Sequence, residues 1–439
     1  MDKRQFVLKQ YIRKLRGWLI PGLGVKRWII TILIGTTLIG LGLGVLILDI
    51  YRNAPATWWL PILSAVSLRM LPRLLRVLIF GGIGFGILFY GIWELNRALM
   101  KPFLRPGENI IDALRQHRIR DRGPKIVAVG GGHGLATLLR GLKTFTFNLT
   151  AIVTVADDGG SSGMLRKQMG VLPPGDIRNC LAALSDDEAL MGQLFQYRFT
   201  ESGGFQGHTF GNLFISTLAE LTGSFEQAVA ESGKILAVHG QVLPATLNDV
   251  QLQADIRLPN SSNEVRILGE SIIPESSGKI KRVWLEPNNP PAFPKAISSI
   301  LNADVIVVGP GSLFTSILPN LLVPDLTAAI RASRALKIFV VNIATQPGET
   351  DDMDCSDHIR IIEEHSGQDL FNVILCNRNY EEKLPEKICW VRLNSEIEQK
   401  YNVYSSDIID HLNPARHDSQ KLAQIILELF QEKTGPLVE

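Results

Sequence analysis

The hydrophobic pattern divides the chain into two parts. Residues 28–48 form an uncharged run of 21 largely apolar residues, and residues 77–93 form a second uncharged run of 17. The second run extends to about residue 74 if Arg76 places its charged end at the lipid headgroups. A helix needs about 20 apolar residues to cross the hydrocarbon core of a bilayer. The pattern predicts two transmembrane helices, at about 28–48 and 74–93, with buried core helices as the alternative.

Lysine and arginine flank both apolar runs. Eight of them precede residue 28, and seven lie between residues 94 and 122. Because flanks rich in lysine and arginine stay in the cytoplasm, we expect residues 1–93 to be a two-pass anchor in the inner membrane with both termini cytoplasmic. Residues 94–122 are predicted to form a basic helical connector, whose cations also suit anionic membrane lipid.

From residue 123 onward, short apolar strands alternate with segments of helical periodicity. Strands separated by helices are typical of a parallel sheet with helices on both faces. We therefore expect an α/β domain with a Rossmann-like sheet over residues 123–439. At least five of its strands are recognisable, at residues 125–129, 150–156, 304–308, 337–343 and 372–375.

The middle of this domain has a different period. Residues 250–256 alternate between apolar and polar side chains, and residues 264–286 contain further strand-like runs. Alternation with a period of two is typical of an antiparallel sheet with one buried face. The sequence predicts a small antiparallel β insertion at about 240–287.

Charge separates the same two parts of the chain. Residues 1–122 carry 19 Lys and Arg against 6 Asp and Glu, a net charge of +13, whereas residues 123–439 carry 26 against 37, a net charge of −11. The acidic domain argues against nucleic acid as a partner, because phosphates require a basic face. The four cysteines show no C-x-x-C spacing, which argues against a disulfide scaffold and fits a reduced cytosolic compartment.

The first candidate site follows the strand at 125–129. A glycine-rich run comes directly before a helix, so its backbone N–H groups and the positive helix end suit a phosphate. The run lacks the lysine of a P-loop and the last glycine of the dinucleotide fingerprint. A tight structural turn is the alternative. The candidate phosphate-binding residues are Gly131, Gly132, His133 and Gly134.

Carboxylates form the second candidate site. Asp157 and Asp158 end the strand at 150–156, and Ser161 and Ser162 lie in the glycine-rich turn after them, where they suit an anion. Paired carboxylates at a strand end bind Mg²⁺ or the hydroxyls of a ribose. Asp176 either joins them as a third metal ligand or caps the helix that begins there. A solvated turn is the alternative for the aspartate pair.

Two further polar runs open helices. Arg178, followed by Asn179, offers a planar fork for phosphate. His208 and Asn212 begin an apolar helix, and they either face the ligand or are structural.

A second junction of strand, glycines and helix contains Gly309, Gly311 and Ser312. It predicts a second anion-binding loop, and two such loops suit a diphosphate better than one. Asn342 ends the next strand and is expected on the same edge of the sheet.

Six motifs together carry a resemblance to a known family. In chain order they are Gly-Gly-Gly-x-Gly, Ala-Asp-Asp-Gly-Gly-Ser-Ser-Gly, Pro-Pro-Gly-Asp-Ile-Arg-Asn-Cys, Gly-His-x-x-Gly-Asn-Leu, Gly-Pro-Gly-Ser-Leu-x-Thr-Ser and Thr-Gln-Pro-Gly-Glu-Thr. The set resembles the gluconeogenesis factor (YvcK) family of bacteria, within the CofD-like superfamily, over roughly residues 124–430. The amino-terminal segment lies outside this resemblance.

The resemblance implies a Rossmann-like body that binds a nucleotide sugar of the UDP-N-acetylglucosamine type. It also implies a role in cell shape and envelope synthesis during gluconeogenic growth. The family usually has threonine at the position of His133, whose imidazole is larger and titrates near neutrality. The nucleotide and phosphate positions implied by the family are Gly131, Gly132, Gly134, Asp157, Asp158, Arg178, Asn212, Gly311 and Ser312.

Two functional hypotheses follow. The first is a membrane-anchored regulator whose partners are a UDP-sugar, membrane lipid, cell-envelope regulatory proteins and further copies of the chain. The second is a transferase like the related CofD enzymes, which move a phospholactyl- or phosphoenolpyruvyl-type group from a nucleoside diphosphate to a deazaflavin. In that case Mg²⁺ would be held by Asp157, Asp158 and Asp176. The few aromatic residues near Gly211 favour the regulator, and the broken dinucleotide fingerprint disfavours an NAD(P) dehydrogenase.

Overall fold

The structure is a computed structural model that describes residues 70–100, 110–185, 188–200, 204–258, 263–276 and 278–434, with isolated positions between residues 33 and 68. It contains two compact units, Met1–Arg118 and Ile119–Glu439. The first unit contains the long helix α1, Arg73–Met100, and helix α2, Ile110–Asp121, spans the boundary.

The predicted membrane helices find no support in the structure. Within the described residues, no single helix is both long and apolar enough to cross a membrane. Gly81–Trp93 is a shorter apolar helix. The segments Leu313–Leu321 and Pro324–Ala332 are bent relative to each other, and only when taken together are they long and apolar enough to cross a membrane. The predicted span at 74–93 falls within α1, and the one at 28–48 lies largely outside the described residues.

The second unit holds all the described strands and the remaining helices. The strands are β1 (Ile126–Gly130), β2 (Leu149–Val153), β3 (Gln241–Pro244), β4 (Gln251–Arg257), β5 (Glu264–Leu268), β6 (Lys279–Glu286), β7 (Val305–Val308), β8 (Leu336–Val340), β9 (Val373–Asn377), β10 (Val403–Ser406), β11 (Ile409–Asp410) and β12 (Asn413–His417). The helices are α3 (Gly132–Leu142), α4 (Gly160–Met169), α5 (Gly175–Leu184), α6 (Glu188–Gln196), α7 (Phe210–Thr222), α8 (Phe225–Ile235), α9 (Pro294–Leu301), α10 (Leu318–Leu321), α11 (Pro324–Ala332), α12 (Cys355–Ser366), α13 (Ser395–Lys400) and α14 (Ser419–Thr434). A π-helical turn, Leu313–Ile317, precedes α10.

The main sheet has seven parallel strands in the order β10-β9-β8-β7-β1-β2-β3. The predicted α/β fold with a parallel sheet is therefore confirmed. The chain builds β1, β2 and β3 in one direction and then returns to add β7 to β10 on the other side of β1. The chain connections after β1 and β7 lead to opposite faces of the sheet at this reversal, which is where open parallel sheets leave a crevice for ligands.

The sheet buries a hydrophobic core on each face, because successive side chains of a strand alternate. Ile126 and Ala128 of β1 belong to the core that contains α3, α5 and α14. Val127 and Val129 belong to the opposite core, with α9 to α12. Consequently the helix after β1 and the helix after β7 cover opposite faces of the sheet.

The insertion is a three-stranded antiparallel sheet in the order β5-β4-β6. The buried positions of β4, Leu252, Ala254 and Ile256, pack into the core with α9 to α12. The predicted insertion at 240–287 starts too early, because Gln241–Pro244 is β3 and pairs parallel with β2 in the main sheet.

Candidate functional site

A cavity of about 440 Å³ lies at the carboxyl ends of β1 and β7. The two strands are neighbours in the sheet, and the chain reverses its direction of growth between them. The loops after β1, β2, β7 and β8 contribute to its walls, together with the insertion and β12. The cavity thus occupies the position at which parallel α/β sheets bind ligands.

The floor of the cavity is formed by two glycine loops in close contact. A Cβ atom on Gly134 would lie 2.5 Å from the carbonyl oxygen of Pro310, so only glycine fits there. The backbone of Gly132 has a positive φ of 63°, which also favours glycine. Asn342 fixes the second loop, since its Oδ1 accepts from the Gly311 N–H at 3.1 Å and its Nδ2 donates to the Gly311 carbonyl at 2.8 Å.

Three carboxyl groups line the cavity, from Asp157, Asp176 and Glu270. Burial raises the pKa of Asp157. Burial and the neighbouring charge of Asp157 raise the pKa of Asp176 to about 6 and that of Glu270 to about 8. Glu270 lies in the loop after β5. It was not predicted from the sequence, because the patterns used there identify residues that follow strands of the main sheet.

Three side chains with basic nitrogens also line the cavity. His133, Arg416 and His417 line it, and Arg416 is the one lysine or arginine among its described lining residues. Burial lowers the pKa of His133, and the positive charge of Arg416 acts in the same direction. Burial lowers the pKa of His417 to about 4, so this imidazole is neutral at physiological pH.

Asp176 lies beside the first glycine loop. A Cβ atom on Gly131 would be 2.5 Å from Asp176 Oδ2, and the Gly132 N–H favours the ionised form of this carboxyl. A phosphate bound to the glycine loop would therefore lie next to Asp176. Such binding requires a proton on Asp176 or a cation between the two anions.

The second predicted anion-binding loop is already occupied by a carboxylate of the protein. Glu349 is 8% exposed, and its Oε1 accepts from the Thr315 hydroxyl at 3.2 Å. The N–H groups of Phe314 and Thr315 and the hydroxyl of Ser312 also favour the ionised form of Glu349. The turn after Gly309 and Gly311 thus already holds an acidic side chain of the protein. Gly311 and Ser312 still line the cavity, and their binding of phosphate stays a prediction.

Six predicted ligand residues form a buried network behind the acidic wall. Arg178 donates to Thr209 Oγ1 and to Asn179 Oδ1. Ser161 Oγ lies 3.2 Å from His208 Nδ1, and Asn212 Nδ2 donates to Ser162 Oγ at 3.4 Å. None of these side chains lines the cavity. The network comprises Ser161, Ser162, Arg178, Asn179, His208 and Asn212, and it supports the loops that carry Asp157 and Asp176.

The predicted three-carboxylate metal site is not assembled. Asp158 turns away from the cavity and accepts the Ser271 N–H at 2.9 Å. Across the described ranges, no group of three or more His, Cys, Asp and Glu side chains could hold a metal ion. Asp157 and Asp176 remain as hard oxygen donors in the cavity, which is a donor type that suits Mg²⁺.

The aromatic residues near Gly211 pack as a core. Phe195 is 2% exposed, and its ring contacts those of Phe210 and Phe214 with centroids 6.0 and 5.5 Å apart. A Cβ atom on Gly211 would be 2.7 Å from both Phe195 and Arg178. These rings therefore fill the space that a flat acceptor would need at Gly211.

Comparisons with known proteins identify the family. The family described as "2-phospho-L-lactate transferase CofD" matches residues 126–425. A protein of Nostoc named "putative gluconeogenesis factor" is 45% identical, and the match covers 94% of this chain and 92% of that protein. The gluconeogenesis factor of Listeria innocua is 42% identical over 72% of this chain and 98% of its own.

A crystal structure supports the same relationship. A member of the UPF0052 family from Bacillus halodurans is 41% identical and has a TM-score of 0.65, and the match covers 70% of this chain and 99% of that chain. The α/β unit therefore occurs in that protein without the amino-terminal unit. Together these matches show that the chain belongs to the CofD-like family, among the proteins named gluconeogenesis factors.

Proposed function

We propose that the protein binds a nucleotide sugar of the UDP-N-acetylglucosamine type and acts as a regulator rather than an enzyme. The observation that carries this proposal is that one cavity is lined both by donors for phosphate and by carboxyl groups. The glycine loop and Arg416 offer donors for phosphate, and the carboxyls of Asp157, Asp176 and Glu270 offer acceptors for sugar hydroxyls. A volume of about 440 Å³ is within the usual range for small-molecule sites.

The biological role that we propose is control of cell shape and envelope synthesis during gluconeogenic growth. The relatives named gluconeogenesis factors support the metabolic context. A protein that binds a precursor of the cell wall is suited to couple its supply to envelope synthesis. In this role it would act on cell-envelope regulatory proteins and assemble with further copies of itself, and pull-down and mass measurement of the purified protein test these two points.

Mg²⁺ is part of the proposal because the phosphate would lie beside Asp176. Asp157 and Asp176 would hold the ion, which neutralises the charge between carboxyl and phosphate. Calorimetry with and without Mg²⁺ tests this point. We expect weaker UDP-sugar binding without the ion at pH 8, where Asp176 with a pKa of about 6 is ionised.

A CofD-type transferase is the second candidate, favoured by the family match over residues 126–425. It would require a site for a flat deazaflavin acceptor. Incubation of the protein with a deazaflavin and a series of nucleoside diphosphate donors decides between the two. Formation of a phosphodiester product would favour the transferase over the regulator. Turnover of the UDP-sugar in the absence of a deazaflavin would count against a regulator that only binds its ligand.

Arg416→Ala is expected to weaken UDP-N-acetylglucosamine binding about tenfold or more, because the variant loses the one arginine that lines the cavity. Isothermal titration calorimetry measures the change. Arg360→Ala is the matched control, since Arg360 forms exposed ion pairs with Asp357 and Glu364. Equal affinities of Arg416→Ala and Arg360→Ala would contradict the assignment of Arg416 to the phosphates.

We propose, on hydropathy alone, that the apolar runs at 28–48 and 77–93 anchor the protein in the inner membrane with the α/β unit in the cytoplasm. Fractionation of cells tests this. We expect full-length protein in the membrane pellet after an alkaline carbonate wash, and a chain lacking residues 1–93 in the supernatant. Full-length protein in the supernatant would contradict the anchor.

A further inference from the structure

The loop after β5 leads to β6 within the insertion and contacts loops of the main sheet. Two other loops hold it in place. The Ser271 N–H donates to Asp158 Oδ1 at 2.9 Å, which ties the loop to the end of β2. Pro274 lies so close to Gly348 that a side chain on this glycine would overlap the Pro274 carbonyl. The fully buried Ile273 adds an apolar contact to the core beneath. Residues 269–276 thus form a fixed arch, named here the insertion arch.

The insertion arch places Glu270 in the wall of the cavity. The charged groups that face this carboxyl are those of Asp157, Asp176, Glu349 and Asp158, all of the same sign. Among the described residues, no hydrogen-bond donor or cation of the protein contacts the Glu270 carboxyl. The oxygens of this carboxyl can therefore accept hydrogen bonds from a bound ligand.

The phosphate donors of the cavity limit where the rest of a ligand can lie. If the phosphates bind the glycine loop near Arg416, the sugar or the nucleoside occupies the rest of the cavity, whose wall includes Glu270. Both parts carry hydroxyl groups, and a sugar carries more of them. The oxygens of a carboxyl group accept hydrogen bonds from hydroxyls in either protonation state, and a site built for such donors rejects ligands that lack them.

We propose that Glu270 is a specificity-determining residue that accepts hydrogen bonds from the hydroxyls of the sugar and so distinguishes a nucleotide sugar from the bare nucleotide. This inference rests on the proposed function, because it assumes that the phosphates lie on the glycine loop. The proposed role of Glu270 gives the insertion a function in ligand selection. Since the arch is tied to the loops after β2 and β8, a bound sugar would also restrain the insertion relative to the main sheet.

The test compares the affinity for UDP-N-acetylglucosamine with the affinity for UDP in the full-length protein, at constant Mg²⁺ concentration and pH. Calorimetry with UDP-N-acetylglucosamine and with UDP is carried out on the wild type, on Glu270→Ala and on the isosteric Glu270→Gln. We expect Glu270→Ala to weaken UDP-N-acetylglucosamine binding about tenfold to a hundredfold. UDP binding should change less than about threefold, and Glu270→Gln should be intermediate because its amide keeps one acceptor.

Glu264→Gln is the matched control, because Glu264 is exposed on β5 and pairs with Arg257 outside the cavity. Hydrogen exchange of residues 269–276 gives a second readout, since the sugar nucleotide but not UDP should slow exchange in the wild type. If Glu270→Ala leaves the ratio of the two affinities unchanged, because neither affinity falls or both fall equally, the assignment of Glu270 is overturned while the proposed function stands. Absence of saturable binding of either ligand to the wild type overturns the proposed function and this inference with it.

Discussion

Substitution of Gly134 by alanine is expected to reduce ligand binding at least a hundredfold. The added Cβ would lie 2.5 Å from the oxygen and 2.8 Å from the carbon of the Pro310 carbonyl. Both partners are backbone atoms, so the strain is relieved only if the two glycine loops move apart. A shift of about 1 Å in a positioning loop is enough to cost roughly two orders of magnitude in function. The overlap is also expected to destabilise the fold by about 1–3 kcal/mol.

Calorimetry with UDP-N-acetylglucosamine measures the loss, and circular dichroism checks that the variant is folded. Gly204→Ala is the matched control, because nothing lies within 4 Å of the Cβ position at Gly204 and its backbone conformation is open to alanine. Binding of Gly134→Ala within threefold of the control would show that the floor of the cavity does not depend on the contact between the two loops.

The sequence predicts the central part of the fold well because its strands are buried on both sides. The apolar runs at 125–129 and 304–308 correspond to β1 and β7, and every residue of these two strands is buried. Edge strands give no such signal. β3 has only four residues and ends in proline, and all residues of β10 are partly exposed, so neither produces an apolar run.

The candidate site likewise contains residues that could be predicted from the sequence and residues that could not. The glycine loop and Asp157 were predictable because they follow strands of the parallel sheet, whose carboxyl ends meet at one edge. Glu270 lies in the connection between β5 and β6, and Arg416 lies in the hairpin of β11 and β12. Only tertiary packing decides which side chains of these segments reach that edge. Arg178 and His208 lie near the site as expected, but their side chains bond to neighbouring polar groups and do not line the cavity.

Glu349 shows what the sequence does not reveal about the second predicted anion-binding loop. A strand, glycines and a helix predict a free helix end with unpaired N–H groups. In the structure a distant carboxyl group, 37 positions after Ser312 in the chain, accepts hydrogen bonds at this turn. Local sequence cannot distinguish a helix end that is open to a ligand from one that a side chain of the same protein contacts.

Glu349 also gives the second large expected effect, on stability. Burial raises its pKa from 4.5 to about 7 despite the favourable hydrogen bonds from Thr315 and the N–H groups. The folded state therefore holds this proton more tightly than the unfolded state does. The free energy of unfolding falls as pH rises from about 4.5 to 7, and the loss is complete above pH 7. The size is on the order of 3 kcal/mol, since one pKa unit is about 1.4 kcal/mol.

Glu349→Gln should remove the part of the pH dependence that comes from Glu349, because glutamine keeps an acceptor for the Thr315 hydroxyl and never ionises. A carboxylate near a helix end contributes about 0.3–1 kcal/mol, which is less than the cost of burying its charge here. We therefore expect the variant to be more stable than the wild type by about 2–3 kcal/mol at pH 8, with a much smaller difference at pH 5.

Urea unfolding of residues 119–439 at both pH values measures the difference, since the Bacillus halodurans structure shows that this unit stands alone in a relative. Glu364→Gln is the matched control, as Glu364 is half exposed on α12. A lower stability of Glu349→Gln than of the wild type at pH 8 would mean that the carboxylate stabilises the helix end more than its burial costs. The helix after β7 would then depend on Glu349 as a charged cap, and the pH dependence would have the opposite sign.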